Sequence, residues 1–203
     1  MKKHSASVRR VGLALSGGSA RGLAHIGVLG VLTEADIPID VLTGTSMGAI
    51  VGGCFALNPD VDSLMHKVEE MTTSPAFKEL GLERFKEGEG WWSKWRSKLA
   101  AAESLFKLSL VSPDKVENVF KALFGDATFE DTKIPFAAIA LDLMTGEDVI
   151  LKEGLLWKAV QASAAIPGVF PPVEINGRIL VDGGITANIP VSAAFSLGAK
   201  RVI

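Results

Sequence analysis

The sequence contains little of what disulfide scaffolds and metal sites require. Cys54 is the single cysteine among 203 residues, and the three histidines are His4, His25 and His66. One cysteine excludes an intramolecular disulfide and suits a reducing compartment, and no cysteine–histidine spacing typical of a metal site occurs. Because Cys54 lies in a run of small apolar residues, we expect a buried thiol and not a reactive one.

The sequence also lacks a strong charge of one sign and a convincing membrane segment. Its formal net charge of −2 at pH 7 predicts no general attraction to nucleic acid. Residues 41–59 carry no charge and approach the length of a spanning helix, but their four glycines favour a buried strand–helix unit. Arg9-Arg10 faintly resembles the start of an export signal, but the apolar run 11–15 is too short for one. We therefore expect a cytoplasmic protein.

What is present predicts one α/β domain over residues 1–203. Apolar residues make up 48% of the chain, which is typical of an ordered protein. Residues 9–15 and 39–43 read as apolar strands, and 20–36 between them has helical spacing. This order predicts a mainly parallel sheet that is covered by helices on both faces. Because the sequence stops as a strand opens at 201–203, we expect the domain to continue beyond it.

Further elements follow along the chain. We predict a helix from Ser112-Pro113 to Gly125, a hairpin of 135–143 with 147–152, and a helix at 155–164. A strand at 178–181 and a helix after Pro190 complete the prediction.

Residues 60–112 differ from the rest, since they are more charged and mainly helical in propensity. We interpret them as a lid or side subdomain. Basic residues are interleaved there with Trp91, Trp92 and Trp95. Aromatic and basic side chains favour the headgroup zone of a bilayer, which would allow peripheral membrane contact. Ordinary packing of a helical lid with solvated charges explains the same pattern and is the favoured alternative.

Gly44-Thr45-Ser46-Met47-Gly48 is the most informative stretch. It fits G-x-S-x-G between a predicted strand and a small-residue helix, the arrangement that lifts a serine hydroxyl out of the core on a strained turn. The helix N-terminus favours negative charge developing beside it. The glycines allow the turn to close without clashes from a Cβ atom. We predict that Ser46 is a nucleophile.

A serine nucleophile needs a base, and the histidines offer little. His66 is the one histidine after Ser46, and it lies too early for the usual Ser, Asp/Glu, His order. His25 fits packing or a helix surface better than catalysis. The remaining candidate base is Asp182, in Asp182-Gly183-Gly184 after an apolar strand, because the ends of parallel strands converge on one edge of a sheet. The residues alone leave an ordinary turn equally open.

The third feature is a glycine-rich turn, Gly17-Gly18-Ser19-Ala20-Arg21-Gly22. Such a turn exposes backbone N–H groups beside a helix N-terminus and can hold an anion. It lacks the nucleotide-binding patterns, so its better use beside a nucleophile is an oxyanion hole formed by the N–H groups of Gly17, Gly18 and Ser19. We assign Met47, a further N–H donor, and Arg21 to substrate binding, although bracing of the loop or simple surface exposure fits Arg21 equally well.

These features, in this order, resemble the patatin-like phospholipase family, in the bacterial group similar to the neuropathy target esterase catalytic domain. Supporting stretches are 23–29, 141–146, 163–172 and 188–191. The resemblance implies a three-layer α/β/α patatin-like fold with a helical lid region. It implies a Ser-Asp dyad without histidine, carried here by Ser46 and Asp182, that acts on lipid acyl esters. One departure is Ser19, where the family loop often has a third glycine.

We therefore expect a serine lipid acyl hydrolase that works through an acyl-enzyme and needs no metal or organic cofactor. Its expected partner is a lipid or acyl-ester substrate, and no nucleic acid. Three alternatives stay open. The same dyad can serve an acyltransferase, a histidine beyond residue 203 would restore a conventional triad, and the fold can serve as a non-catalytic lipid-binding or phosphate-binding module.

Overall fold

The computed structural model describes residues 10–80 and 109–203. The predictions about His4 and about Trp91, Trp92 and Trp95 lie outside the described residues. The elements in chain order are β1 (Val11–Leu15), α1 (Ala24–Glu34), β2 (Val41–Thr45), α2 (Met47–Leu57), α3 (Val61–Thr73), α4 (Pro75–Glu79), α5 (Pro113–Phe124), β3 (Phe136–Asp142), β4 (Asp148–Leu151), α6 (Leu156–Ser163), β5 (Val173–Ile175), β6 (Arg178–Asp182), α7 (Val191–Ser196) and β7 (Arg201–Val202). Short 3-10 turns lie at Ser19–Leu23, Phe129–Asp131 and Gly183–Ile185.

The elements that the sequence predicted are present with small shifts at their ends. Helix α5 has Pro113 in its first turn and ends at Gly125, whose positive φ of 58° suits glycine. The uncharged segment 41–59 folds as β2 and α2, and both elements are almost completely buried. This confirms the interpretation of that segment as a strand–helix unit.

The described strands form one sheet, hydrogen-bonded in the order β5–β6–β3–β2–β1–β7, with β4 pairing β3 as well. The pairs β7–β1, β1–β2 and β2–β3 are parallel. Strands β4 and β6 are antiparallel to β3, and β5 is antiparallel to β6, so β5 runs in the same direction as β3. The sheet is therefore mainly parallel, as predicted.

Helices cover both faces of this sheet. Successive residues in a strand point to opposite faces. Leu42 packs into the large core, which also contains residues of α2 and α6, whereas Val41 packs with Ala194 of α7 in a separate small cluster. The two neighbouring residues of β2 thus contact different helix layers, which gives the three-layer α/β/α arrangement.

The edges of β3 explain how the end of β6 approaches the end of β2. Ile139 pairs with β2 through Thr45 and with β4 through Ile150. Ala140 pairs with β4 through Val149 and with β6 through Asp182. Because a strand has two edges and β4 occupies one of them, β2 and β6 lie in line along the other. Their carboxyl ends face each other there. The expectation that Asp182 ends a parallel strand was wrong, since β6 is antiparallel to β3.

A hairpin that precedes Asp182 was not predicted. Strand β5 pairs with β6 across Asn176-Gly177, and both turn residues have positive φ, 51° and 74°. Asn-Gly is the preferred sequence of a two-residue type I′ turn. The signal was present in the sequence, but Pro171 and Pro172 directly before β5 obscured a strand of only three residues.

Residues 61–79 of region 60–112 are almost entirely helical, as predicted. Helices α3 and α4 each begin at a side-chain cap, provided by Asp60 and Ser74. Leu64 and Val68 of α3 and Leu80 after α4 are buried in the large core. These helices are therefore part of the main packing unit. A lid role for region 60–112 stays a prediction.

Candidate active site

Ser46 occupies the sharp turn between β2 and α2. Its backbone has φ 56° and ψ −121°, which lies in the left-handed half of φ space that L-residues rarely adopt. The residue is 7% exposed, so the turn is held within packed structure. Helix α2 begins at Met47, and its positive dipole end therefore lies directly beside the serine.

The flanking glycines of the pentapeptide are required by space. A Cβ atom at Gly44 would collide with the carbonyl group of Gly48, and a Cβ atom at Gly48 would collide with the carbonyl group of Leu15 in β1. These neighbours are backbone atoms, which cannot move aside as a flexible side chain can. The close approach of strand to helix confirms the predicted reason for the two glycines.

Ser46 and Asp182 are in direct contact. The Ser46 hydroxyl donates to Oδ2 of Asp182 over 2.6 Å, across 136 positions of sequence. The other carboxylate oxygen, Oδ1, accepts from the N–H of Gly184 at 2.7 Å. The second hydrogen bond fixes the orientation of the carboxylate toward the serine, and it arises because Gly183–Ile185 turns directly after β6.

Burial raises the pKa of the Asp182 carboxyl above its ordinary value, while the hydrogen bonds from Ser46 and Gly184 act in the lowering direction. The loss of water around the charged form is the larger effect. A carboxylate with a raised pKa is a stronger base than a solvated one, which suits proton transfer from a hydroxyl.

Ser163 is a neighbour of Ser46 whose contact was not predicted. It lies at the end of α6 and is completely buried. Its hydroxyl donates to the carbonyl of Ile139 at 2.6 Å and accepts from the N–H of Ser46 at 3.0 Å. The sequence offered Ser163 only as part of the stretch 163–172, with nothing to indicate what it would touch.

The glycine-rich turn lies beside the serine, with one difference from the predicted oxyanion hole. The N–H of Gly17 donates to the carbonyl of Asn188 at 3.1 Å, so in this conformation it is engaged within the protein. Among the described residues, no acceptor binds the N–H of Gly18 or Ser19. The prediction for Gly17 as a donor therefore needs correction, because the segment after Asp182 folds back onto the loop and uses that group.

Ser19 adopts a left-handed backbone conformation, with φ 49°. This is the region in which glycine is favoured and in which other residues are strained. Ser19 thus stands at a position where a glycine would relieve strain. The backbone N–H remains available in the serine.

Two buried threonines of β2 hold the segment that follows Asp182. The Thr43 hydroxyl donates to the carbonyl of Pro190 at 3.0 Å, and the Thr45 hydroxyl donates to the carbonyl of Ala187 at 2.9 Å. Both donors belong to the strand that leads into Ser46. The strand that presents the hydroxyl therefore also anchors the segment that follows the carboxylate.

Ser46, Asp182 and the glycine-rich turn line one cleft of about 390 Å³. Its remaining wall combines Arg21 and Asn188 with apolar side chains, among them Ile166, Pro167 and Ile185. Arg21 is exposed and supplies the positive charge among the residues that line the cleft. The cleft thus joins a hydroxyl–carboxylate pair to an apolar wall and a cation.

The other described candidates from the sequence do not line this cleft. His25 bonds through Nε2 to the carbonyl of Ser16 at 2.9 Å, and His66 is exposed on α3. Neither is among the described residues that line the cleft. Cys54 is buried in the core, and burial raises the pKa of its thiol to about 12, which confirms the expectation of a buried cysteine.

Two features are absent from residues 10–80 and 109–203. No three histidine, cysteine, aspartate or glutamate side chains are grouped to hold a metal ion. None of the helices in these ranges is both long enough and apolar enough to span a bilayer.

The sequence matches the family model described as patatin-like phospholipase over residues 13–195. An uncharacterized NTE family protein of Mycobacterium tuberculosis is 32% identical over 203 residues, which are 100% of this chain and 50% of the relative. Neuropathy target esterase sws of Drosophila melanogaster is 30% identical over 198 residues, covering 95% of this chain and 12% of that protein. The chain thus spans at most half the length of these relatives.

Among solved structures, VipD from Legionella pneumophila matches with a TM-score of 0.54 and 14% identity. The match covers 89% of this chain and 46% of that one. At this identity the likeness concerns the fold alone.

Proposed function

Because the chain belongs to the patatin-like phospholipase family, we propose that it is a serine lipid acyl hydrolase in which Ser46 is the nucleophile and Asp182 the base. The observation that carries the proposal is the 2.6 Å hydrogen bond from the Ser46 hydroxyl to the Asp182 carboxylate. A nucleophile and base within this distance, on a strained turn and beside backbone donors, fit covalent catalysis. The family description and the relatives' names support a lipid ester as substrate.

In the first half of the proposed reaction, Asp182 accepts the hydroxyl proton while Ser46 Oγ forms a bond to the ester carbonyl carbon. The carbonyl π electrons move to the oxygen and give a tetrahedral oxyanion. When that intermediate collapses, the bond to the leaving oxygen breaks, and Asp182 returns its proton to the leaving alcohol. The acyl group is then attached to Ser46.

In the second half, water replaces the alcohol. Asp182 accepts a proton from the water molecule while the water oxygen attacks the acyl carbon. Collapse of the second tetrahedral intermediate releases the fatty acid, and Ser46 regains its proton. Every transferred proton passes through one carboxylate, so the chemistry requires neither a metal ion nor an organic cofactor.

The oxyanion is stabilised in this proposal by the N–H groups of Gly18 and Ser19, with Met47 as a third donor at the start of α2. Each such donor typically contributes about 2.7–4 kcal/mol of transition-state stabilisation. Gly17 shapes the loop through its bond to Asn188 and is not counted as a donor. A first-turn N–H such as that of Met47 has no partner within its own helix.

The cleft suggests how the substrate lies. Ile166, Pro167 and Ile185 offer an apolar wall for an acyl chain. Arg21, at the exposed side of the same cleft, suits an anionic group on the substrate. We propose further that the chain forms one domain in which region 60–112 acts as a lid. Peripheral membrane contact through that region is also part of the proposal.

The direct test compares the wild type with Ser46→Ala on a chromogenic acyl ester, together with fluorophosphonate labelling. We expect loss of turnover and of labelling in the variant, with an unchanged circular dichroism spectrum. Undiminished turnover by Ser46→Ala would refute the assignment. A folded wild type that neither turns over nor labels would favour the non-catalytic lipid-binding alternative.

The acyltransferase alternative needs a second measurement, because it uses the same acyl-enzyme. Only the acceptor differs, an alcohol in place of water. Product analysis with added lysolipid separates the two: free fatty acid as the main product supports the hydrolase, and transfer to the lysolipid in preference to water supports the acyltransferase.

A further inference from the structure

The backbone of Ser46 depends on a single side chain for one of its hydrogen bonds. The N–H of Ser46 donates to the hydroxyl oxygen of Ser163 at 3.0 Å. With a φ of 56°, Ser46 has left the strand conformation of β2, so the strand ladder does not supply this acceptor. Ser163 is completely buried, and the bond is therefore shielded from exchange with solvent.

The direction of this bond is fixed by the second contact of Ser163. A hydroxyl has one hydrogen to donate, and that of Ser163 points to the carbonyl of Ile139 at 2.6 Å. The oxygen lone pairs are left to accept the Ser46 N–H. Ile139 pairs with Thr45 in the neighbouring strand, so Ser163 ties the end of α6 to β3 and to the turn that carries the nucleophile.

The hydrogen bond from the Ser46 N–H to Ser163 also affects the distance between the Ser46 hydroxyl and the Asp182 carboxylate. The N–H that Ser163 accepts belongs to the peptide plane that enters Ser46, and this plane sets the position of the serine Cα and therefore of its hydroxyl. Asp182 is held by other bonds, from the N–H of Gly184 to its carboxylate, from its own N–H to the carbonyl of Ala165 and through pairing with Ala140, and none of them uses the Ser163 side chain. A shift of the Ser46 backbone would thus move the hydroxyl relative to a carboxylate that stays in place.

We propose that Ser163 is a positioning residue for the reaction, which rests on the proposed function: its hydroxyl holds the strained backbone of Ser46 so that the nucleophile keeps its hydrogen bond to Asp182. Ser163 does not line the cleft and does not act on substrate. Its loss should reduce the rate of the chemical step and leave substrate binding nearly unchanged.

The test measures kcat and KM on a soluble p-nitrophenyl ester for Ser163→Ala, Ser163→Cys and Ser163→Thr. Alanine removes the acceptor, and cysteine keeps the volume but offers only a weak one. For both we expect kcat to fall about 10- to 100-fold, as small misplacements of reacting groups do, with KM within about twofold. Threonine retains the hydroxyl and should restore most of kcat.

Val160→Ala is the matched control, because Val160 is also completely buried on α6 and makes no hydrogen bond through its side chain. We expect this variant to melt earlier but to keep the wild-type kcat well below its melting temperature. An effect on kcat equal to that of Ser163→Ala would reduce Ser163 to a purely structural role and overturn the proposal.

The outcomes separate this inference from the proposed function. If the wild type neither hydrolyses the ester nor labels with fluorophosphonate, the proposed function fails first. If the wild type is active and Ser163→Ala or Ser163→Cys keeps the wild-type kcat, only the positioning role fails. If Ser163→Ala does not fold, the comparison of cysteine with threonine decides, and equal kcat in these two variants overturns the proposal.

Discussion

Asp182 and Thr45 lie on the same edge of β3, where Thr45 pairs with Ile139 and Asp182 pairs with Ala140. Strands β2 and β6 therefore approach each other end to end, and the residue that follows Thr45 meets the carboxylate. The 2.6 Å bond between Ser46 and Asp182 is a consequence of this register. An antiparallel strand, and not a further parallel one, delivers the carboxylate.

The pH dependence of activity should follow Asp182. The base must be ionised to accept a proton, and burial raises the pKa of this carboxyl above its ordinary value of 3.8. We expect the acid limb of kcat/KM for a soluble ester to lie above pH 3.8, with activity rising as pH increases through it. Circular dichroism in the same buffers shows whether the protein stays folded. An acid limb at or below pH 3.8 in folded protein would contradict the assignment.

Replacing Asp182 by asparagine should separate catalysis from stability. Asparagine keeps the shape of the side chain but cannot accept the proton, so we expect kcat to fall about 10²- to 10⁴-fold. Burial in the folded protein disfavours the ionised carboxylate. The unfolding free energy of the wild type, relative to that of the asparagine variant, is therefore greatest below pH 3.8 and declines as pH rises through the raised pKa of Asp182 in the folded state. Urea unfolding of both proteins across pH measures this. If the unfolding free energy of the wild type instead rises relative to that of the variant as pH increases, the raised pKa is contradicted.

The elbow glycines should tolerate no side chain. In Gly48→Ala the new methyl group meets the carbonyl of Leu15, and we expect a loss of about 1–3 kcal/mol in unfolding free energy, or failure to fold. Gly27→Ala is the control, because Gly27 is exposed in α1 and a Cβ atom there meets nothing within 4 Å. That variant should gain about 0.5–1 kcal/mol. Equal stability of the two variants would show that close approach does not explain Gly48.

Ser19 should be replaceable by glycine but not by a β-branched residue. Ser19→Gly keeps the backbone N–H and relieves the left-handed strain at φ 49°, so we expect kcat within about twofold of the wild type. Ser19→Val is incompatible with that conformation and should lower kcat by up to about 100-fold by shifting the oxyanion loop. The test measures kcat of both variants and of the wild type on the same ester. A wild-type kcat in the valine variant would show that the loop does not stabilise the oxyanion.

Local signals explain why much of the fold was predictable. Helix α5 is bounded by Pro113 and Gly125, and helix α7 after Pro190 ends at Ser196, two residues before Gly198, a glycine with φ 93°. Backbone stereochemistry fixes such boundaries within a few residues of sequence. The hairpin of β3 and β4 likewise follows from its short turn around Met144-Thr145-Gly146, in which Gly146 has φ 74°.

The contacts of the site were less predictable, because each depends on residues far apart in the chain. The bond from the N–H of Ser46 to the hydroxyl oxygen of Ser163 spans 117 positions, and that from the hydroxyl of Thr43 to the carbonyl of Pro190 spans 147. The engagement of Gly17 by Asn188 depends on how the segment after Asp182 folds back. No local pattern of side chains reports such pairings.

The sequence by itself determined the elements and the turn that presents Ser46, because propensity and capping act over a few residues, and it left Asp182 open between a base and an ordinary turn residue. Tertiary structure decided that β6 runs against β3, that Asp182 ends opposite Ala140, and that the buried hydroxyl of Ser163 holds the backbone of Ser46. These depend on which strand edges and which buried polar groups remain to be paired when the whole sheet is assembled, and that is a property of the complete fold.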